Sequence, residues 1–440
     1  MGNDTEKRNI VEPSILSGFM ELLPKEQMLF NSMVDTIRAT YESFGFIPVD
    51  TPVIEKAEVL LAKSGGDTAK QVYRFNKGEH DLALRFDLTV PLARYVAQHY
   101  GELTFPFRRY HISKVYRGEK PQKGRFREFY QCDIDIIGNG SLSIINDAEI
   151  VSVIYNTFKA LGFGDFTIMI NNRKLLSGFF ESLGIDDATE VLRIVDKIDK
   201  AGEDYVKAEL LKNGASEEAT ESILKLVKLF GEPLDIVNEL KNWGIDNEKF
   251  IAGLEELEAV CKSIKALGVP SECFKLNLKI ARGLDYYTGT VYETFLNDYP
   301  ELGSVCSGGR YDELAQNYTK QSLPGVGISI GLSRLFYQLN EAGIISNNGK
   351  ATPTNILIVP MDDTVEYALK TASQFRSRGI ATEVYLNGGK MGKKLNYANK
   401  LGIPYVAVVG ESEMQNGTVM LKDMESGEQK EVKVDDVVIL

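Results

Sequence analysis

The apolar positions of this 440-residue chain change period several times, and each change marks an element. Leu29, Met33, Ile37 and Tyr41 recur at helical spacing over 27–44, and Gly45 stops that helix. Residues 46–49 and 51–55 then read as extended chain, 82–88 alternates like a strand, and 90–100 returns to helical spacing. Two β-rich runs, 110–116 and 126–137, are joined by the polar, glycine-bearing stretch 118–125, which predicts an antiparallel hairpin with a long loop. In its second arm Gln131, Asp133 and Asp135 fall on one face at period two. Such a polar row on an apolar strand lines a wet pocket or faces solvent.

Residues 180–265 lose the β-rich runs and become rich in Leu, Lys and Glu at helical period, which predicts a helical insertion. Strand-like runs return at 275–280, 290–295 and 303–309, and 325–331 leads into a helix over 332–342. The polar stretch 346–353 reads as a linker. Beyond it strand and helix alternate (356–360, 365–378, 381–386, 393–401, 405–409), and a hairpin of 418–422 with 431–434 closes the chain. That alternation predicts a small α/β unit on a parallel sheet. The whole reads as α+β: an antiparallel-sheet core over 1–180 and 266–345, a helical insertion over 181–265, and a C-terminal α/β domain over 354–440.

Composition removes several function classes. At 43% apolar and 25% charged the chain is ordinary for a globular protein, and no apolar run reaches membrane-spanning length. The first residues lack an apolar signal-peptide core, and Glu6 stands where a myristoylation signal has Ser or Thr, so a cytoplasmic location is expected. Four separated cysteines and three unpaired histidines give no metal-ligand spacing, so no protein side chain is assigned to a metal. The net charge of −12 hides two basic stretches. Residues 107–127 hold eight Lys or Arg against Glu119, and 370–400 hold seven against Glu383, the pattern of a polyanion touched at two places.

Four segments carry candidate chemistry. Tyr116-Arg117-Gly118-Glu119 ends one hairpin arm, where an arginine can reach a phosphate and Lys120, Lys123, Arg125 and Arg127 can follow others. Ala281-Arg282-Gly283-Leu284-Asp285-Tyr286-Tyr287 packs a cation, an acid and two aromatics around glycines. Ser307-Gly308-Gly309-Arg310-Tyr311-Asp312 offers close backbone approach to a ligand. Gly325 to Gly331 alternates small residues on which a flat ring could lie, and Arg334 follows in the next helix. Neither a dinucleotide fingerprint nor a G-x-x-x-x-G-K-[ST] phosphate loop is present.

Together these segments closely resemble the histidyl-tRNA synthetase family over nearly the whole chain. Residues 45–55 resemble the dimer-forming first motif of class II synthetases, 117–127 the second, and 327–334 the third. The Arg282–Tyr287 and Ser307–Asp312 signatures are the histidine-specific ones, and Leu84 to Thr89 matches the family form with Asp-Leu-Thr. Ser333, where the family often has Glu, and Cys306-Ser307, within a usual glycine run, are departures.

The resemblance implies a class II antiparallel catalytic core with a helical insertion and an anticodon-binding domain. It implies ATP-dependent adenylation of L-histidine and transfer to the 3′ end of the histidine tRNA, by a homodimer, with Mg²⁺ on the phosphates. Arg282 and Arg117 would act on the α-phosphate as catalytic groups. Arg117, Glu119, Arg125 and Arg334 would bind ATP. Asp87, Leu88, Thr89, Gln131, Asp135, Arg282, Tyr286, Tyr287 and Tyr311 would bind histidine, and Gln122 and Lys123 the tRNA. Two rivals are a regulatory paralogue of histidine biosynthesis that charges no tRNA, and an amide ligase that adenylates an acid. Both would lack the C-terminal domain.

Overall fold

Tertiary contacts divide the molecule into two units, Met1–Met20 with Val34–Ala342, and Glu21–Met33 with Gly343–Leu440. The structure, a computed structural model, describes residues 11–62, 70–120, 124–185, 188–195, 197–280, 287–346, 350–361 and 363–439. In chain order the strands of the first unit are β1 (Ile47–Pro48), β2 (Ile54–Lys56), β3 (Arg74–Lys77), β4 (His80–Leu84), β5 (Phe107–Tyr116), β6 (Glu128–Ile137), β7 (Phe166–Asn172), β8 (Phe274–Leu276), β9 (Thr290–Leu296), β10 (Cys306–Tyr311) and β11 (Gly325–Ile330). Eight of them form one sheet in the order β1-β5-β6-β11-β10-β9-β7-β8, and β2-β4-β3 form a small second sheet. The large sheet is antiparallel except at its margins, where β1 pairs β5 and β8 pairs β7 in parallel.

The predicted hairpin is β5 with β6, in register from Phe107↔Ile137 to Tyr116↔Glu128. Lateral register sorts the sheet's residues onto two faces. Tyr292, Gly308, Ile328 and Ile134 form one row, and the Tyr292 phenol donates to the Asp147 carbonyl at 2.9 Å, which puts helix Ile145–Leu161 on that face. The other face carries the row Glu293, Ser307, Ser329 and Asp133. At one end of this second face Leu92, Ala93 and Val96 of helix Thr89–Gln98 cover Phe107, Ile137 and Tyr311 in an apolar cluster. The polar end, around Gln131, Ser307 and Ser329, is a concavity.

Between β7 and β8 the described chain is a succession of helices, from Arg173–Ser182 to the long Glu248–Ala266. The last packs back against helices Arg173–Ser182 and Ile145–Leu161. In the second unit β12 (Ile356–Pro360), β13 (Thr382–Val384) and β14 (Tyr405–Val409) are parallel, and β15 (Thr418–Asp423) and β16 (Gln429–Lys433) add the closing hairpin. No described helix is long and apolar enough to cross a membrane.

Several elements differ from the periodicity reading. Helices Ala57–Leu61, Ile145–Leu161 and Glu411–Asn416 and strands Arg74–Lys77 and Phe166–Asn172 were not signalled. Ile145–Leu161 is buried on most sides, so its apolar residues form no single stripe to detect. The strand expected over 275–280 stops at Leu276, and the one expected from 303 begins at Cys306, after Gly303 turns the chain at φ +67°. The strand expected to reach Leu88 ends at Leu84, and the Arg85 side chain that follows is buried. Its Nε donates to the Lys114 carbonyl at 2.9 Å and its Nη atoms to the Thr51 carbonyl and the Ser113 hydroxyl, both at 2.5 Å.

Candidate active site

The open end of the polar face is a cavity of about 360 Å³ lined by Arg117, Glu119, Arg125, Gln131, Ser329 and Arg334, among others. The long loop, β6, β11 and the helix after β11 each contribute, so one sheet face converges residues more than 200 positions apart. Arg117 donates from Nε to the Phe86 carbonyl at 3.0 Å and stacks over Phe129 at 5.1 Å. Those two contacts fix the plane of its guanidinium against the cavity wall. Arg125 is well exposed at the mouth, 3.9 Å from Glu119. Arg334, in helix Leu332–Glu341, donates from Nη2 to the Leu302 carbonyl at 2.8 Å. Three guanidinium groups with a single lining carboxylate make the cavity suited to a polyphosphate. Glu119 is the lining carboxylate that would offer an oxygen to a magnesium ion on bound phosphates.

Behind the cavity floor lies a layer of buried charge. The Arg109 Nη2 atom is 2.5 Å from Asp135 Oδ2 and donates to the Leu88 carbonyl at 3.2 Å. Asp135 Oδ1 accepts from the Tyr311 phenol at 2.6 Å. Asp87 accepts from the Val90 N–H at 3.1 Å, anchoring the first turn of helix Thr89–Gln98. Burial pushes the Asp87 carboxyl up to about 6, against the pull of that hydrogen bond and of Arg117 and Arg109. Asp133 is pushed to about 7 by burial, with Arg109 and a hydrogen bond from Ser329 pulling it back. Asp87 is therefore mostly ionised at neutral pH, as a site for an ammonium group requires. Burial also raises the Tyr287 phenol, with Asp135 and Asp133 adding to the effect.

The expected ATP ligands Arg117, Glu119, Arg125 and Arg334 and the histidine ligand Gln131 are thus brought to one cavity. Asp87, Thr89 and Tyr287 stand around the Arg109–Asp135 layer and keep partial exposure. The other expected histidine ligands among the described residues make contacts within the protein. Asp135, Leu88 and Tyr311 are all buried; the two Asp135 oxygens are engaged by Arg109 and Tyr311, and Leu88 turns only its carbonyl toward Arg109. Arg282, Tyr286, Gln122 and Lys123 lie outside the described residues.

The glycines expected to admit a ligand instead admit the protein. A Cβ on Gly327 would fall 2.2 Å from Asp135 Oδ1, one on Gly325 would fall 2.4 Å from the Tyr311 ring, and one on Gly309 would fall 2.9 Å from the Tyr287 ring. Ser333 accepts from the Tyr130 N–H at 2.8 Å, so this departure from the family pattern ties the helix to β6 rather than supporting Arg334.

The first basic stretch is partly taken up inside the protein, while the second stays mostly at the surface. Arg108 is engaged by Glu149 at 2.8 Å and Arg109 is fully buried. Of the second stretch's cations only Lys394 is buried, against the Pro360 carbonyl; Arg376 and Arg378 are exposed but serve backbone carbonyls, Lys370 is exposed and paired with Glu366, and Lys390, Lys393 and Lys400 are exposed. Sequence reasoning gave no role to Ser329, Phe126 or Gln338, which line the cavity. The period-two phase of β11 was a usable signal for Ser329 once its pairing with β6 was known.

Comparison with known proteins agrees with this geometry. A family model for histidyl-tRNA synthetase matches residues 18–335, and one for an anticodon binding domain matches 355–439. A histidine–tRNA ligase of Clostridium tetani is 60% identical over 432 residues, covering 98% of each chain. The chain belongs to the histidyl-tRNA synthetase family. A histidine–tRNA ligase of Clostridium acetobutylicum is 50% identical over 98% of this chain and 100% of its own. The crystal structure of histidyl-tRNA synthetase from Nostoc sp. PCC 7120 superposes with a TM-score of 0.90 at 43% identity, over 97% of this chain and 98% of that one. Family membership therefore extends across both units, and the cavity with Arg117, Gln131 and Arg334 lies within the synthetase match.

Proposed function

We propose that the chain is a histidine–tRNA ligase acting in the cytoplasm as a homodimer. In the first step the histidine carboxylate displaces pyrophosphate from the α-phosphorus of ATP, giving histidyl-adenylate. In the second, the terminal ribose hydroxyl of the tRNA attacks the acyl carbon and AMP leaves. The substrates supply nucleophile and leaving group, so the protein must supply position and countercharge. The observation that carries the reading is the convergence of Arg117, Arg125 and Arg334 on one cavity beside the Asp87–Gln131 side.

Arg117 and Arg282 hold the α-phosphate, and Arg334 and Arg125 hold the outer phosphates. Glu119 would offer a carboxylate oxygen to a magnesium ion, which would add countercharge on the phosphates when bound. Asp87 and Thr89 receive the ammonium of histidine together with Gln131, while Tyr287 and Tyr286 flank the imidazole. Asp135 and Tyr311 hold that wall in place. Gln122 and Lys123 meet the tRNA from the loop, residues 181–265 form the insertion between core segments 1–180 and 266–345, and the domain over 354–440 reads the anticodon. Ile47 and Ile54, about half exposed on the first-motif strands, support burial of that edge in a dimer. The C-terminal domain speaks against the regulatory and amide-ligase readings.

Charging itself tests the function. With labelled histidine, ATP, Mg²⁺ and unfractionated tRNA, acid-precipitable ester is expected, and chelating the magnesium should abolish it. Pyrophosphate release without any tRNA ester would favour the amide-ligase reading.

A further inference from the structure

The floor of the cavity contains a directed chain of hydrogen bonds. Gln131 Nε2 donates to the Ser329 hydroxyl oxygen at 2.7 Å, and Ser329 stands directly across the strand pair from Asp133, whose ionised form its hydroxyl favours. When Asp133 is ionised it only accepts, so the Ser329 hydroxyl, whose oxygen is taken up by Gln131, turns its proton toward Asp133. The amide of Gln131 is thereby held with its nitrogen toward β11. Its oxygen, Oε1, is buried and has no protein partner. A buried amide oxygen of that kind is costly unless a ligand satisfies it.

We infer that Ser329 and Asp133 are positioning residues that fix which end of the Gln131 amide meets the substrate, presenting the oxygen to the ammonium of histidine. The inference rests on Gln131 being a histidine ligand, as read above. An amide is nearly symmetric in shape, and without the relay either end could face the ligand. One end accepts from an ammonium and the other repels it. The strand pairing supplies the geometry: Ser329 lies directly across from Asp133, and Gln131 is two residues along the same face. Substrate binding, rather than phosphate chemistry, is the step this arrangement serves.

The test separates the ammonium from everything else. In ATP–pyrophosphate exchange, Ser329→Ala should raise the histidine KM about tenfold, the worth of one hydrogen bond to a charged group, with kcat and the ATP KM changed less than about twofold. Histidinol, which keeps the ammonium, should lose inhibition to the same degree, while imidazolepropionate, which lacks it, should inhibit as before. Ser329→Thr, which keeps the hydroxyl, should restore most of the histidine affinity. Asp133→Asn can donate to Ser329 and reverse the relay, so it should be at least as damaging to histidine and histidinol. The relay is overturned if Ser329→Ala leaves the histidine KM unchanged, or if histidinol and imidazolepropionate weaken equally. Exchange by the unsubstituted chain is the separate control: its absence would remove the proposed function itself.

Discussion

Arg117→Ala is expected to lower histidine-dependent ATP–pyrophosphate exchange by about 10²–10³ in kcat, since one preorganised donor at developing charge contributes about that much. The side chain is anchored at Nε by the Phe86 carbonyl and lies on Phe129, so its position is set before substrate arrives. Arg117→Lys should recover little. Lysine keeps the charge but loses both the Nε anchor and the planar stack. The histidine KM should move by less than about fivefold, because the amino-acid wall is formed by other residues. Steady-state exchange at saturating ATP checks this, and a near-normal kcat in Arg117→Ala would remove Arg117 from the phosphate step.

Asp147→Ala should destabilise the catalytic unit by about 3–5 kcal/mol, because it strands a buried guanidinium. Arg310 donates to both oxygens of Asp147, at 2.6 Å from Nη2 and 3.1 Å from Nε, and also to the Leu142 and Ser143 carbonyls. Both side chains are almost fully buried. Arg310 belongs to a histidine-specific signature, yet its place is structural: it joins β10 to the start of helix Ile145–Leu161. Replacing the pair with Arg310→Met and Asp147→Leu should cost much less than the single change, since no charge is left alone. Urea unfolding followed by tryptophan fluorescence measures both, with Trp243 as the reporter. Equal losses in the single and double variants would mean that packing, not charge pairing, dominates there.

That case shows what the sequence made legible and what it did not. Signatures marked which segments matter, because Arg117, Gln131 and Arg334 do converge. They did not show which of the expected site residues also bond one another. Tyr311 and Asp135 resemble ligands in one dimension, and only the contact across β6, β11 and β10 shows them bonded to each other. The same holds for charge. Eight cations between 107 and 127 suggested a surface, whereas Arg109 is a buried strut and Arg108 is paired with Glu149. Strand register is the missing variable, since it decides which period-two sets share a face. The C-terminal unit was read more closely because its alternating strands and helices carry local signals. Helix Ile145–Leu161, buried on most sides, shows no single apolar stripe, and its cues are confined to its ends, with Asp147 in the first turn and Gly162 at the C-cap.

The central claim is that this cavity activates histidine. It is tested most directly by ATP–pyrophosphate exchange run separately with each of the twenty amino acids, on the full chain with Mg²⁺ and no tRNA. Histidine alone should drive exchange, at least about a hundredfold above any other amino acid. Absence of histidine-dependent exchange, or faster exchange with a different amino acid, would contradict the account.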